Sequence, residues 1–141
     1  MEKIKDVLSL VLVVSLMLAC EKPREYAIDA ADTETYIKAD LDELLDRRNE
    51  WHGQQVEVTG VLVTGFEECA LYRSRWAVWT RDHKEAFWLD FRKNFIPVMT
   101  EDEFEKLTNK TITVRGVLDS KHHGHIMQYA GTISDIVYIH E

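Results

Sequence analysis

The sequence predicts a mainly β fold: a small barrel of five strands, with one helix between the third and fourth strands and an amphipathic helix ahead of the first. Three observations lead there. The segment VEVTGVL at 56–62 returns as ITVRGVL at 112–118. Both alternate, putting Val56, Val58, Gly60 and Leu62 on one face, and Ile112, Val114, Gly116 and Leu118 on the corresponding one. Both also carry glycine deep inside the strand, where a missing side chain marks a bend, a bulge or a close approach of backbone. Two long strands with matching bends suit a barrel in which each curves round to serve both halves. At 141 residues the chain has enough material for one such domain and its core.

From the N-terminus, MEKIKDVLSLVLVVSLMLAC starts with Lys3 and Lys5, diluted by Glu2 and Asp6, and continues into an apolar run from Val7 to Leu18. A helix of that length spans about 18 Å, short of the roughly 30 Å of a bilayer core, and it fits the h-region of a secretory signal. Residues 1–19 are therefore expected to be a signal peptide. Met17-Leu18-Ala19-Cys20 resembles the lipobox of bacterial lipoproteins. That resemblance implies cleavage before Cys20, acylation of its sulfur and new amine, and a membrane anchor of several chains, which holds where one would not. Glu21 is not the aspartate that favours inner-membrane retention, so the resemblance implies the outer membrane, facing the periplasm.

Residues 20–32, with EKPREYAIDAAD after the cysteine, are polar and carry Pro23, and are expected to be a tether between lipid and domain. Within 33–50, Ile37, Leu41, Leu44 and Leu45 recur at helical spacing opposite a run of acids, with Arg47 and Arg48 near the end where cations suit the helix dipole. An amphipathic helix over 34–48, packed on the barrel, is expected. The barrel itself occupies 51–141. CALYR at 69–73 and WAVWT at 76–80 read as two short strands or one bent strand, and AFWLDF at 86–91 as the next, reached through the turn RDHKE. Thr100 to Glu103 form a capping box, with Met99 and Phe104 at the positions of a hydrophobic staple, so a helix is expected over 101–108, ending near Asn109. A last extended stretch covers 126–139.

This order of strands and helix resembles the OB-fold, a five-stranded Greek-key barrel. EWHGQQVEVTGVL and LTNKTITVRGVL look like the strand openings of small OB-fold lipoproteins of the bacterial envelope, and GHIMQYAGTI like their late glycine-histidine turn. The resemblance covers 51–141 and implies a fold and an address, with hardly any activity.

Charge narrows the partners. Without residues 1–19 the chain keeps 15 Lys and Arg against 23 Asp and Glu, a net charge of −8, which repels nucleic-acid phosphates at long range. Yet residues 73–93 hold six bases (Arg73, Arg75, Arg81, Lys84, Arg92, Lys93) and three acids, interleaved with aromatic rings. Alternation in the 76–91 region turns half of those rings into the barrel, and nucleic acid is not expected as a partner. With Cys20 lipidated, Cys69 has no partner for a disulfide and reads as a small apolar residue.

DSKHHGH at 119–125 supplies His122, His123 and His125. A pair of imidazoles one residue apart can hold zinc or copper if further ligands arrive. A turn rich in small and polar residues is also simply a hairpin, and in an OB-fold it is a loop beside the ligand face. Tyr72, Arg73, Arg75, Trp88, His123, His125 and Tyr129 are the ligand-contact candidates, and His122, His123 and His125 the metal candidates. No catalytic motif is present, and neither an enzyme nor a required cofactor is expected. The readings that remain are a non-catalytic binding module for a small molecule, glycan or protein, a metal-holding lipoprotein, and an assembly lipoprotein that docks a partner on its acidic helix.

Overall fold

The two echoed segments pair with one another. In a computed structural model of the chain, which describes residues 22–28, 34–93 and 98–141, they lie in strands β3 (Gln55–Gly65) and β6 (Thr111–Asp119), antiparallel and centred on Val58 opposite Val114. Gly116 sits opposite Val56, and Gly60 opposite Ile112. The repeat is thus a two-fold relation across one strand pair, each glycine facing the first residue of the other copy. Neither position has room for a side chain. A Cβ on Gly60 would stand 2.8 Å from the carbonyl oxygen of Tyr72, and one on Gly116 2.6 Å from that of Ser134.

Three more strands close the barrel: β4 (Glu68–Tyr72), β5 (Ala86–Phe91) and β7 (Gly131–His140). Around it the order is β3-β4-β5-β7-β6 and back to β3, all antiparallel except β5 with β7. Closure requires β7 to bend sharply. Arg115 pairs with Tyr138 but Val117 pairs with Ser134, so four steps of β7 match two of β6. The extra length is taken up around Asp135, whose φ of 52° is left-handed. Inside lie Val56, Val58, Leu62, Ile112, Val114 and Leu118, the inward set expected of the two echoed strands, together with Leu71, Phe87, Leu89, Ile133 and Ile139.

Two outer strands extend the sheet. β1 (Glu25–Ala27) runs antiparallel to the end of β7, and β2 (Ile37–Lys38) runs parallel to β3 at Val56 and Glu57. Two expectations change here. Within the expected tether of 20–32, Glu25–Ala27 form a strand paired with β7. The expected helix over 34–48 is confined to α1 (Leu41–Asp46). Asp40 accepts from the amide of Asp42 and starts the helix there, while Ile37 and Lys38 give their backbone to β3. Leu41, Leu44 and Leu45 are buried as the periodicity requires, but Ile37 is not on their face and stays exposed.

A third expectation fails at WAVWT, which is no strand: α2 (Arg75–Thr80) is a helix. Ser74 caps it by accepting from the amide of Ala77, and Arg81 ends it in the left-handed region. The helix after β5 starts where its capping box puts it but is shorter than the expected 101–108. In α3 (Glu101–Glu105) Thr100 accepts from the Glu103 amide while Glu103 reaches back to Thr100, and Asn109 follows with φ 63°. Among the described residues no helix is long and apolar enough to cross a membrane. The expected signal at 1–19 and Cys20 fall outside the described residues.

Candidate functional site

Because successive side chains of a strand point to opposite faces, β4 and β5 have an outer surface as well as an inner one. On it Val61, Ala70, Tyr72, Ala86 and Tyr129 form a second buried cluster, roofed by Ala77 of α2, with Trp88 half-buried at its margin. Tyr72 is sealed, and its hydroxyl is fully engaged: it donates to Oε1 of Glu68 over 2.6 Å and meets Nδ1 of His83 at 2.8 Å. A phenol has one proton. With that proton directed at Glu68, the phenol oxygen is left to accept, and His83 donates to it from Nδ1.

The rings continue as a chain. His83 lies 5.1 Å from Tyr129, Tyr129 5.4 Å from Trp88, and Trp88 6.3 Å from His125, nearly parallel at 29°. His125 Nε2 stands 3.7 Å from Glu67 in the turn between β3 and β4, so this turn and the histidine loop meet. Burial first, then the charges of Glu68 and Cys69, push the Tyr129 phenol up to about 12. The same causes, burial and Glu68, drive Tyr72 further up.

Gly124 explains how the loop comes so close. Its φ is +65°, and a Cβ there would lie 2.5 Å from Cβ of Trp88, so only glycine lets the backbone rest on that ring. The two residues after His125 also take positive φ, 55° at Ile126 and 58° at Met127, with both side chains largely exposed. Backbone held in this region by non-glycine residues is strained.

The structure gathers four of the ligand candidates, Tyr72, Trp88, His125 and Tyr129, around one cluster. It disperses the others. His123 donates from Nδ1 to the carbonyl of Tyr129 at 2.9 Å, receives the Tyr129 amide in return, and so pins the loop. Arg73 leaves the face to bridge Asp42 and Glu85, at 3.0 and 2.9 Å. Arg75 donates to the carbonyl of Asn109. The metal candidates do not converge. His122 is held by Thr132, His123 by Tyr129 and His125 by Trp88 and Glu67, while His52 accepts from the amide of Ser120. No cluster of three or more metal-ligating side chains forms among the described residues. Sequence reading missed Glu68 and His83. Their signal was weak: the turn RDHKE, in which Asp82 accepts from the Lys84 amide and brings His83 back over Tyr72.

The far side of Trp88 faces a cleft of about 480 Å3, lined by Cys69, Leu89, Phe91, Met99 and Phe104, with Asp90, Thr100 and Glu101 supplying polar groups. Phe104 meets Phe91 edge to face at 5.1 Å. Burial, then Asp90 and Glu68, raise the Cys69 thiol to about 12, so it is a neutral apolar wall and no nucleophile at ordinary pH. A larger groove of about 740 Å3 between α1 and β3 is lined by charges of both signs that satisfy one another, Lys38 with Glu57 and Arg73 with Asp42. Concave, mostly apolar space with few polar groups is the mark of a ligand site, and the cleft beside Trp88 has it.

Comparison with protein-family models, with curated proteins and with solved structures finds no match.

Proposed function

We propose that this chain is a lipid-anchored OB-fold module of the bacterial envelope, held by Cys20 on the periplasmic face of the outer membrane, that binds a small ligand without turning it over. The barrel order, the parallel β5–β7 pair and the helix before β6 are compatible with the OB-fold. The lipobox resemblance supports the address. The observation that carries the binding reading is the apolar cleft walled by Trp88, Phe91, Met99 and Phe104.

The cleft also narrows the ligand. Among the described residues its charged groups are Asp90 and Glu101, and no base lines it. An anionic ligand would pay to enter, whereas a neutral or cationic one with an aromatic or acyl body would bury its apolar part against the rings.

A thermal-shift series tests the reading, because a ligand stabilises by mass action. Alkyl and aryl ammonium compounds and neutral sugars with apolar aglycones should raise the melting temperature, and their carboxylate counterparts should not. Phe104→Ala should abolish the gain. A panel without any shift, or a shift that survives Phe104→Ala, overturns binding in this cleft. Intact mass of the membrane-extracted protein reads the anchor separately.

A further inference from the structure

Helix α2 covers the outer cluster with Ala77 and turns its largest side chains away from it. Trp76 is 67 % and Trp79 75 % exposed, with their rings 4.9 Å apart. Two indoles in contact shield each other only in part, and a contiguous apolar patch of this kind marks an interaction surface. Arg75 and Arg81 stand at the two ends of the helix, and Lys84 lies in the turn that follows. None of the three has an ion-pair partner among the described residues, whereas neighbouring Arg73 is claimed by Asp42 and Glu85. On a chain of net charge −8 this patch is locally cationic. Indoles settle at the headgroup level of a bilayer, and Lys or Arg beside them meet anionic headgroups.

A run of contacts connects the start of α2 with the point of entry. Arg75 donates to the carbonyl of Asn109. The next residue, Lys110, pairs with Glu141, whose amide donates to the carbonyl of Arg24 at 2.9 Å. A single run of contacts thus links the start of α2 to residues 22–24, themselves carrying Lys22 and Arg24. From Cys20 to Glu25, where β1 fixes the chain, five residue steps reach about 17 Å at most. An anchor at Cys20 therefore holds the barrel close against its bilayer.

We propose that Trp76 and Trp79, flanked by Arg75, Arg81 and Lys84, form a docking surface for the anionic phospholipid leaflet in which the chain is anchored. The proposal rests on the anchored reading and makes no use of the cleft. The full chain, purified from membranes and checked by intact mass, is reconstituted into vesicles of phosphatidylcholine with phosphatidylglycerol, bearing brominated acyl chains as tryptophan quenchers. Tryptophan emission should be shifted to the blue and quenched. The double variant Trp76→Phe/Trp79→Phe should lose most of that quenching, while Trp51→Phe keeps it. Arg75→Gln/Arg81→Gln, or phosphatidylcholine alone, should weaken it. Equal quenching in the double variant, no quenching in protein whose mass shows acylated Cys20, or a lipid-free dimer by sedimentation that already shifts the emission each overturns the proposal. Quenching by Trp76 and Trp79 with an unmodified Cys20 would keep the docking surface and remove the lipid anchor.

Discussion

The hydroxyl of Tyr72 donates to Oε1 of Glu68 across 2.6 Å, on a ring that is only 1 % exposed. The bond is charge-assisted, and charge-assisted bonds exceed neutral ones in strength. It also sets the tautomer of His83, the other group on that oxygen. Tyr72→Phe keeps the ring and deletes the atom both neighbours use. Denaturant unfolding should show a loss of about 1–3 kcal/mol, the cost of leaving partly buried polar groups unpaired. An unchanged midpoint would mean that water replaces the phenol at no cost.

Alkali should act through the same cluster. Tyr129 titrates at about 12 and Tyr72 above it, against an ordinary value of 10.0, so folding favours their neutral forms. The stability this provides is complete below 10.0 and is lost as pH rises towards about 12. Tyrosinate absorbance from these two rings should therefore appear together with loss of the barrel's circular dichroism. Their ionisation in the folded state would contradict the burial of the cluster.

Acid should loosen the histidine loop. The amides of Lys121 and then His122 donate to Asp119 and hold its carboxyl below the ordinary 3.8. The contribution is present above 3.8 and lost as pH falls through the lower folded value. Asp119→Asn keeps the shape but accepts more weakly, so its amide exchange at Lys121 and His122 should be faster at neutral pH and lose the acid-dependent step.

Gly116→Ala should destabilise by about 1–3 kcal/mol, the usual cost of overpacking, because the new methyl would meet backbone at Ser134 and side chain at Ile133. Gly53→Ala is a useful contrast. That site has open space but φ +81°, so its cost is conformational alone. Urea midpoints of the two variants separate crowding from backbone strain.

Cys69 should react slowly with iodoacetamide. A rise from 9.0 to about 12 lowers the thiolate fraction about a thousand-fold near neutral pH. A compound that fills the cleft should slow labelling further, and labelling as fast as that of a free thiol would show the cleft wall to be open.

Where signals are local, the sequence could be read. The capping box at Thr100 and Glu103 and the matched glycines at 60 and 116 appear where the pattern puts them, since each depends on residues within one turn or one strand. WAVWT misled because its alternation is compatible with a strand; Ser74 as a cap, and Trp76 with Trp79 three apart, carried the helical signal instead. Ile37 fitted the helical stripe of Leu41, Leu44 and Leu45, yet a parallel partner 19 positions downstream claimed its backbone. The outer cluster was half visible. Tyr72, Trp88, His125 and Tyr129 stood out by type, but Glu68 and His83 matter only because β4 and a short turn face each other. The reach of Arg73 to Asp42 likewise depends on packing between distant elements.

The pairing of β1 with the end of β7 has a practical consequence. Glu25 lies opposite His140, so the first fixed residues and the last ones leave the barrel side by side. A fluorophore or affinity handle fused behind Glu141 would emerge beside Glu25 and crowd that edge of the sheet. An insertion at the open turn around Gly53 avoids that edge of the sheet and is the better place for a reporter.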